Sequence, residues 1–142
     1  MNNSIFTDFI SFRMGSISRD LARHFNSEFA EYGITIGQAL VLFYLLDNNG
    51  SSLKDIAAAI DLDSPSVSRL VDRLLKSGYI IREEDETDRR SVQIYLTEKG
   101  EDLGEKIFPI NDQFNNYLKQ ALGEENFKIL GNCLDKIKNI LN

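Results

Sequence analysis

The sequence lacks features that define several common classes of protein. It has one cysteine, Cys133, so no disulfide can form within the chain, which fits a reducing cytoplasm. No apolar run approaches the roughly 18 residues that a membrane-spanning helix needs, so no membrane partner is expected. The first residues carry no basic segment ahead of their apolar side chains, so a signal peptide is not expected. We therefore predict a cytoplasmic protein.

Residues for metal binding and catalysis are also scarce. His24 is the single histidine; it could pair with Asp20 one turn earlier, but no second histidine or cysteine lies near it in sequence to share a metal. There is no G-x-S-x-G motif and no glycine-rich phosphate loop. We predict no metal, no cofactor and no enzyme activity, with a small hydrolase as the least favoured alternative. Cys133, beside Leu134, is interpreted as a buried structural thiol rather than a redox site.

What the chain does have is enough apolar sequence for a core. Its 142 residues are 42% hydrophobic, which suits one compact domain. The net charge of −6 disfavours nucleic acid as a partner if it is taken as a whole. Its distribution weakens that objection, because residues 64–78 hold three basic residues against one acid. A locally basic footprint is sufficient for DNA, since only contacted phosphates release counterions.

Residues 63–100 form the most informative stretch. Apolar residues at helical spacing predict a short amphipathic helix from residue 64, capped by Ser64 or Asp63, with Pro65 in its first turn. After Gly78 the period changes to two, which predicts two strands, 79–83 and 91–96, joined by a charged turn. A preceding short helix starts near Ser52, so the two helices make a helix-turn-helix. A polar helix face beside a two-stranded ribbon is typical of DNA binding.

Long helices flank this stretch. Apolar residues three or four apart predict a helix over residues 4–32, and two more helices follow Thr97 and Gly123. A capping box of Thr35 and Gln38 predicts the start of an almost wholly apolar central helix. The long stripes have little sequence to cover them in one small domain, which favours burial against a second copy. A monomeric bundle that covers its own stripes is the alternative.

The motif at residues 88–90, Asp-Arg-Arg, followed by Leu-Thr-Glu-Lys-Gly at 96–100, gives the chain a family resemblance. With the helix order, it resembles the MarR (multiple antibiotic resistance regulator) family of bacterial transcription factors over essentially the whole chain. The fold class expected is mainly α with a small antiparallel β-wing. The resemblance implies a winged helix-turn-helix lobe at residues 35–97, with dimerisation helices at 1–34 and 98–142. It also implies a homodimer on a palindromic operator in double-stranded DNA, usually acting as a repressor.

The resemblance also assigns residues. The recognition-helix face would be formed by Ser64, Ser66, Ser68, Arg69 and Arg73. In the wing, Arg90 would enter the minor groove, with Arg89 beside it and Asp88 as the acid that holds it. The wing can reach DNA only if its many acids, Glu83 to Glu86 among them, point away from the phosphates.

Two expectations about partners complete this interpretation. A small aromatic effector commonly weakens DNA binding in relatives, and an apolar pocket for it could be lined by Phe9, Phe12, Met14, Phe43 and Phe108, although such residues are more often core. The main rival function is a winged-helix module for protein contacts, for which the acidic net charge is the best argument.

Overall fold

The computed structural model describes residues 5–88 and 91–142. These residues are mainly helical, with a small antiparallel sheet, as the sequence predicts. In chain order the elements are a 3-10 turn (Phe6–Asp8), α1 (Ile10–Ala30), α2 (Ile36–Asp47), β1 (Ser51–Ser52), α3 (Leu53–Ile60), α4 (Ser64–Lys76), β2 (Ile80–Glu84), β3 (Val92–Leu96), α5 (Glu98–Leu122) and α6 (Glu124–Leu141). None of the helices in the described part of the chain combines the length and apolar character that crossing a bilayer requires.

The first helix begins later than its apolar stripe predicts. Phe9, just before α1, has extended backbone angles (φ −64°, ψ 132°) and no side-chain cap, and the residues before it form the 3-10 turn. The predicted start at residue 4 is therefore wrong, because apolar spacing does not detect where the backbone leaves the helical region. At the other end α1 stops at Ala30, and Gly33 adopts φ 73° in the turn to α2.

The start of α2 confirms the predicted capping box. The Thr35 hydroxyl accepts from the backbone N–H of Gln38 at 3.4 Å, and the Gln38 side-chain oxygen accepts from the Thr35 N–H at 2.9 Å. Two of the donors that a helix start leaves unpaired are thereby satisfied. The Asn26 side chain accepts from the Ile36 N–H at 2.8 Å, which ties α1 to the same helix start.

The core of the first part of the chain is formed by α1 to α4 and the sheet. Its members are large apolar side chains with essentially no solvent exposure: Phe29, Leu42, Leu45, Ile56, Val67, Val71, Leu74, Ile80 and Ile94. Full burial of one such side chain stabilises a fold by about 1.5–3 kcal/mol. The inner face of α4 belongs to this core, so its outer face is held in a fixed direction.

The sheet has three strands, one more than the sequence predicts. β3 lies in the middle and pairs antiparallel with β2, from Ile80 opposite Leu96 to Glu84 opposite Val92. The additional strand, β1, pairs Ser51 with Ile94. Because β1 directly precedes α3, this pairing joins the start of the helix-turn-helix to the middle of β3.

The chain divides into two units, Met1–Lys106 and Ile107–Asn142. The first contains α1 to α4 and the sheet. The second contains the end of α5 and the whole of α6, which has no buried residue in the single chain. In α6 the predicted stripe residues Leu130, Leu134 and Leu141 are exposed, and Phe127 and Ile137 are partly covered.

Candidate nucleic-acid interface

The two helices of the predicted helix-turn-helix are α3 and α4, and both have side-chain caps. Ser52 caps α3 by accepting from the Asp55 N–H at 3.1 Å. The turn between the helices passes through Asp61, whose φ of 58° is left-handed. Aspartate adopts this region more readily than most residues. Asp63, not Ser64, caps α4, with Pro65 in the first turn, so the structure decides between the two caps that the sequence leaves open.

The outer face of α4 carries the five residues assigned to DNA reading. Val67, Val71 and Leu74 are buried on the inner side. The recognition-helix residues lie on the remaining surface: Ser64, Arg69 and Arg73 are exposed, and Ser66 and Ser68 are partly exposed. The helix thus presents small hydroxyls at its start, Arg69 in its middle and Arg73 in its last turn, which suits close approach to base edges and phosphates.

Two of these side chains, Ser66 and Arg69, are connected with Asp63 at the start of α4. Both carboxylate oxygens of Asp63 accept from Ser66: Oδ2 from the backbone N–H at 2.9 Å, and Oδ1 from the hydroxyl at 2.6 Å. The Ser66 hydroxyl in turn accepts from Nη2 of Arg69 at 3.2 Å. The hydroxyl bond from Ser66, followed by its backbone N–H, lowers the pKa of Asp63 below its usual value, with a smaller contribution from the Arg69 charge.

The wing consists of β2, β3 and the turn between them. Asp85 closes part of this turn by accepting from the Thr87 N–H at 3.0 Å and its hydroxyl at 2.9 Å, and these bonds lower the pKa of Asp85. The backbone carbonyl of Asp88 accepts from Ser91 at 2.9 Å. Arg89 and Arg90, the wing arginines assigned from the resemblance, lie outside the described residues.

The acids of the wing do not share one environment. Asp85 is partly covered and bonded within the turn, whereas Glu83, Glu84 and Glu86 are exposed. The turn therefore engages one carboxylate in its own backbone, and the exposed ones remain a source of repulsion for nearby phosphates.

Sequence reasoning missed two residues that act on this surface. The sequence pattern indicates Asp63 only as a cap, although its spacing of three from Ser66 and of six from Arg69 is visible in the sequence. Arg82 on β2 pairs with Asp72 on α4, with Nη2 and Oδ1 3.8 Å apart. That pair joins the wing strand to the recognition helix, and residues ten apart on different elements leave no local signal of such a contact.

The five candidate pocket residues are distributed over both units. Phe12 and Met14 lie on α1, Phe9 lies just before it, and Phe43 lies on α2 with its ring centroid 6.4 Å from that of Phe29. Phe108 belongs to the second unit. Phe9 and Phe108 are more than half exposed, and the assignment of all five to a ligand stays a prediction.

The residues considered for metal and redox chemistry give one correction. Cys133 is exposed in the single chain, so the interpretation of a buried thiol is wrong. Its position beside Leu134 on an apolar stripe suggested burial, but α6 buries no residue in the single chain. Asp20 pairs with Arg23, and the His24 ring contacts Phe25 edge-on at 5.1 Å. Within residues 5–88 and 91–142, no three His, Cys, Asp or Glu side chains are grouped as a metal site.

Comparisons with known proteins agree with this geometry. The model of the MarR family matches residues 32–91, which include α2 to α4 and β2 and end just before β3. The HTH-type transcriptional regulator BilQ of Clostridium symbiosum (strain WAL-14163) is 32% identical over 111 residues, covering 78% of this chain and 77% of the relative.

Solved structures extend the likeness to nearly the whole chain. An S. aureus MepR–DNA complex superposes with a TM-score of 0.90 at 29% identity, covering 94% of this chain and 99% of the other. A MarR-family regulator from Listeria monocytogenes, complexed with 26mer DNA and described as putative, gives 0.85 at 26% identity, covering 94% and 89%.

The fold and the exposed face of α4 define a DNA-binding winged helix-turn-helix transcription regulator. Its family matches and relatives are regulators of this kind, not enzymes. The chain belongs to the MarR family.

Proposed function

We propose that two copies of this chain bind a roughly palindromic operator and repress the genes beside it, in the cytoplasm. The observation that carries the proposal is the outer face of α4, with Ser64, Arg69 and Arg73 exposed on a lobe that closely resembles DNA-bound MepR. In each copy α4 enters a major groove, where an arginine can pair bidentately with guanine. Residues 35–97 form the DNA-binding lobe.

The wing is proposed to contact the neighbouring minor groove. Arg89 and Arg90 keep the roles that the family resemblance implies, with Arg90 in the groove and Asp88 holding it. A narrow minor groove concentrates negative potential, which favours a cationic side chain. The exposed acids of β2 oppose this approach, so we expect the contact to be specific to narrow grooves rather than strong on any duplex.

The dimer is supported by the apolar residues that the single chain leaves exposed at both of its ends. Ile17 on α1 is 57% exposed and Leu134 on α6 is 48% exposed. Complete burial of a fully exposed side chain of this size gains about 1.5–3 kcal/mol, so covering the exposed half of each against a second copy gains roughly half of that. We therefore assign residues 1–34 and 98–142 to dimerisation.

Dimerisation is tested with a matched pair of substitutions on α6. Leu134 lies on the apolar stripe, and Asn132 lies on the opposite side of the same helix and is also exposed. We expect light scattering of the eluted protein to give twice the chain mass for the parent and for Asn132→Glu, and a lower mass for Leu134→Glu. A parent that runs as a monomer at micromolar concentration would contradict the dimer.

Operator recognition is tested by selecting bound duplexes from a random pool at physiological salt. We expect a palindrome whose half-sites lie about one helical turn, roughly 34–36 Å, apart. The affinity should fall steeply with salt, because each neutralised phosphate adds about −0.9 to the log–log slope. Retention of random duplexes with no enriched sequence would contradict operator recognition.

A small aromatic effector is proposed to weaken this binding, through a site that includes Phe9, Phe12, Met14 and Phe43. Phenol and benzoate are suitable probes, with cyclohexanecarboxylate as the non-aromatic control. We expect an aromatic probe to raise the melting temperature of the free protein and to lower its affinity for the selected operator. Phe12→Ala should reduce both effects. Equal responses to the aromatic and non-aromatic compounds would contradict this site.

A further inference from the structure

The start of α4 carries a directed chain of hydrogen bonds from a carboxylate to a guanidinium. Asp63 can only accept, so the Ser66 hydroxyl must donate its single hydrogen to Oδ1, at 2.6 Å. Arg69 can only donate, so the same hydroxyl oxygen accepts from its Nη2, at 3.2 Å. The donor and acceptor chemistry of the two outer groups therefore fixes the orientation of the hydroxyl between them.

This arrangement restricts what Ser66 can do on DNA. A hydroxyl has one hydrogen, and here that hydrogen is already donated to Asp63. In the major groove, guanine and thymine present acceptor atoms that need a donor. While the chain of bonds is intact, Ser66 has no hydrogen to offer these atoms, in contrast to the role that the family resemblance gives it.

Arg69 keeps most of its recognition chemistry. A guanidinium has five N–H donors, and the bond to Ser66 uses one of them. A bidentate pair with the O6 and N7 atoms of guanine needs two others. A long side chain loses rotamer freedom when it binds, and a chain that is already oriented loses less.

We propose that Asp63 and Ser66 are positioning residues, which orient the Arg69 guanidinium for base reading and do not themselves read bases. The proposal rests on the proposed role of α4 in the major groove. It assigns specificity to Asp63, a residue outside the set that the family resemblance gives.

The charge of Asp63 makes the proposal sharper. Its carboxylate is ionised at neutral pH and exposed. It lies at the N-terminus of α4, the helix that is proposed to enter the major groove. It therefore repels any duplex, whatever its sequence, while it improves the reading of the correct one. Removing this charge should raise the affinity for a random duplex and lower the preference for the operator over that duplex.

The main experiment measures affinity for the selected operator and for a random duplex of the same length. Ser66→Ala removes the hydroxyl that connects Asp63 to Arg69, and it does not change the net charge. It keeps the Ser66 backbone N–H, from which Asp63 also accepts a bond. We expect the ratio of the two affinities to fall about 3- to 10-fold, with affinity for the random duplex unchanged. Ser77→Ala is the matched control, because Ser77 is an exposed, uncharged residue at the end of α4 and lies outside the face assigned to DNA reading.

A second variant tests the charge. Asp63→Asn preserves the helix cap, because asparagine caps as well as aspartate. In this variant the side-chain oxygen accepts the capping bond from the Ser66 backbone N–H. The amide nitrogen that then faces the Ser66 hydroxyl is a donor and cannot accept its hydrogen. We expect binding of the random duplex to rise about twofold at low salt, whereas the ratio of affinities falls as in Ser66→Ala.

Two measurements separate positioning from a direct contact. In an Arg69→Ala background, Ser66→Ala should have no further effect on the ratio of affinities. In the free protein, nitrogen-15 relaxation of the Arg69 Nε–H group should show a lower order parameter in Ser66→Ala than in Ser77→Ala. This second readout needs no DNA and is independent of operator choice.

The outcomes distinguish this inference from the proposed function. If the parent selects an operator but Ser66→Ala behaves like Ser77→Ala in both the ratio of affinities and the order parameter, the positioning role is wrong and the DNA-binding function stands. If the loss in Ser66→Ala persists without Arg69, Ser66 reads a base directly and the inference is also wrong. If the parent shows no sequence preference at all, both fail together.

Discussion

The α-carbon of Gly100 lies directly against the backbone carbonyl of Tyr79, so that a Cβ at this position would overlap the carbonyl oxygen. The same oxygen accepts from the Thr97 N–H at 3.0 Å. The Thr97 hydroxyl donates to the Gly78 carbonyl at 2.7 Å, and Lys99 Nζ donates to the Ser77 carbonyl at 2.9 Å. Three consecutive carbonyls after α4 are therefore bonded by residues 97–99. We call Thr97, Lys99 and Gly100 the α4 clamp.

We predict that Gly100→Ala destabilises the fold. A methyl group cannot share the space of a backbone oxygen, so the start of α5 must move away from residue 79, and overpacking of this kind costs about 1–3 kcal/mol. The free energy of unfolding in urea measures the loss. Gly131→Ala on α6 is the matched control, because nothing lies within 4 Å of its added Cβ and alanine favours helix by up to about 1 kcal/mol. Equal stability of both variants would contradict the prediction.

We predict that Arg82→Ala weakens DNA binding more than it affects stability. Asp72 is the one acid in α4, and Arg82 lies 3.8 Å from it. Both side chains are about half exposed, so the pair contributes only about 0–1 kcal/mol to folding. Without Arg82, the Asp72 carboxylate repels phosphates more strongly. We expect about two- to fivefold weaker operator binding at low salt.

The control for this prediction is the double variant Arg82→Ala/Asp72→Asn. It has the net charge of the parent and should regain most of the lost affinity, which fluorescence anisotropy with a labelled operator can measure. A double variant that binds as weakly as Arg82→Ala would indicate that Arg82 contacts DNA itself.

We predict that Arg69, on the recognition helix, and Arg90, in the wing, contribute differently to sequence specificity. Arg69→Ala should cost about 1–3 kcal/mol on the operator and broaden the bases accepted at one position of each half-site. Arg90→Ala should weaken binding with less change at the major-groove positions. Competition among single-base operator variants measures both. Arg19→Ala, an exposed arginine on α1, is the charge-matched control, and a loss there equal to that in Arg69→Ala would contradict the assignment.

We predict that acid destabilises the protein partly through Asp63 and Asp85, whose pKa values are lowered by bonds from Ser66 and Thr87. A carboxylate with a lower pKa in the folded state stabilises the fold above its unfolded pKa, about 3.9. That contribution is lost as the pH falls through the folded pKa. The free energy of unfolding should therefore drop less between about pH 5 and 2 in Asp63→Asn/Asp85→Asn than in the parent. Parallel curves for the two proteins would contradict this.

Much of the local structure was predictable because its causes are local. The capping box needs only Thr35 and Gln38, three residues apart, and the structure confirms it. The strand β1 was not predictable, because two serines have no periodicity and pair only through a strand more than 40 residues later. The prediction that Cys133 is buried was wrong for a related reason. An apolar stripe shows which face of a helix avoids water, but it does not show which element covers that face.

The candidate site shows the same division. The outer face of α4 follows from helical spacing within thirteen residues, so its five residues could be placed on one surface from the sequence. The motif at residues 96–100 is visible in the sequence, but its bonds to the carbonyls that follow α4 are not. Those carbonyls lie about twenty residues earlier in the chain. The pair of Arg82 and Asp72 depends on how β2 packs beside α4, and the sequence alone does not specify that distance.

The α4 clamp has a consequence for hybrid regulators. A designer who wishes to transfer operator preference from this chain to a relative would naturally exchange α4 alone. The carbonyls at its end are bonded by Thr97 and Lys99, and the lack of a side chain at Gly100 leaves room for the Tyr79 carbonyl. The smallest exchangeable piece is therefore the continuous segment from the Asp63 cap to Gly100, wing included, and a shorter graft would bring the helix without the residues that end it.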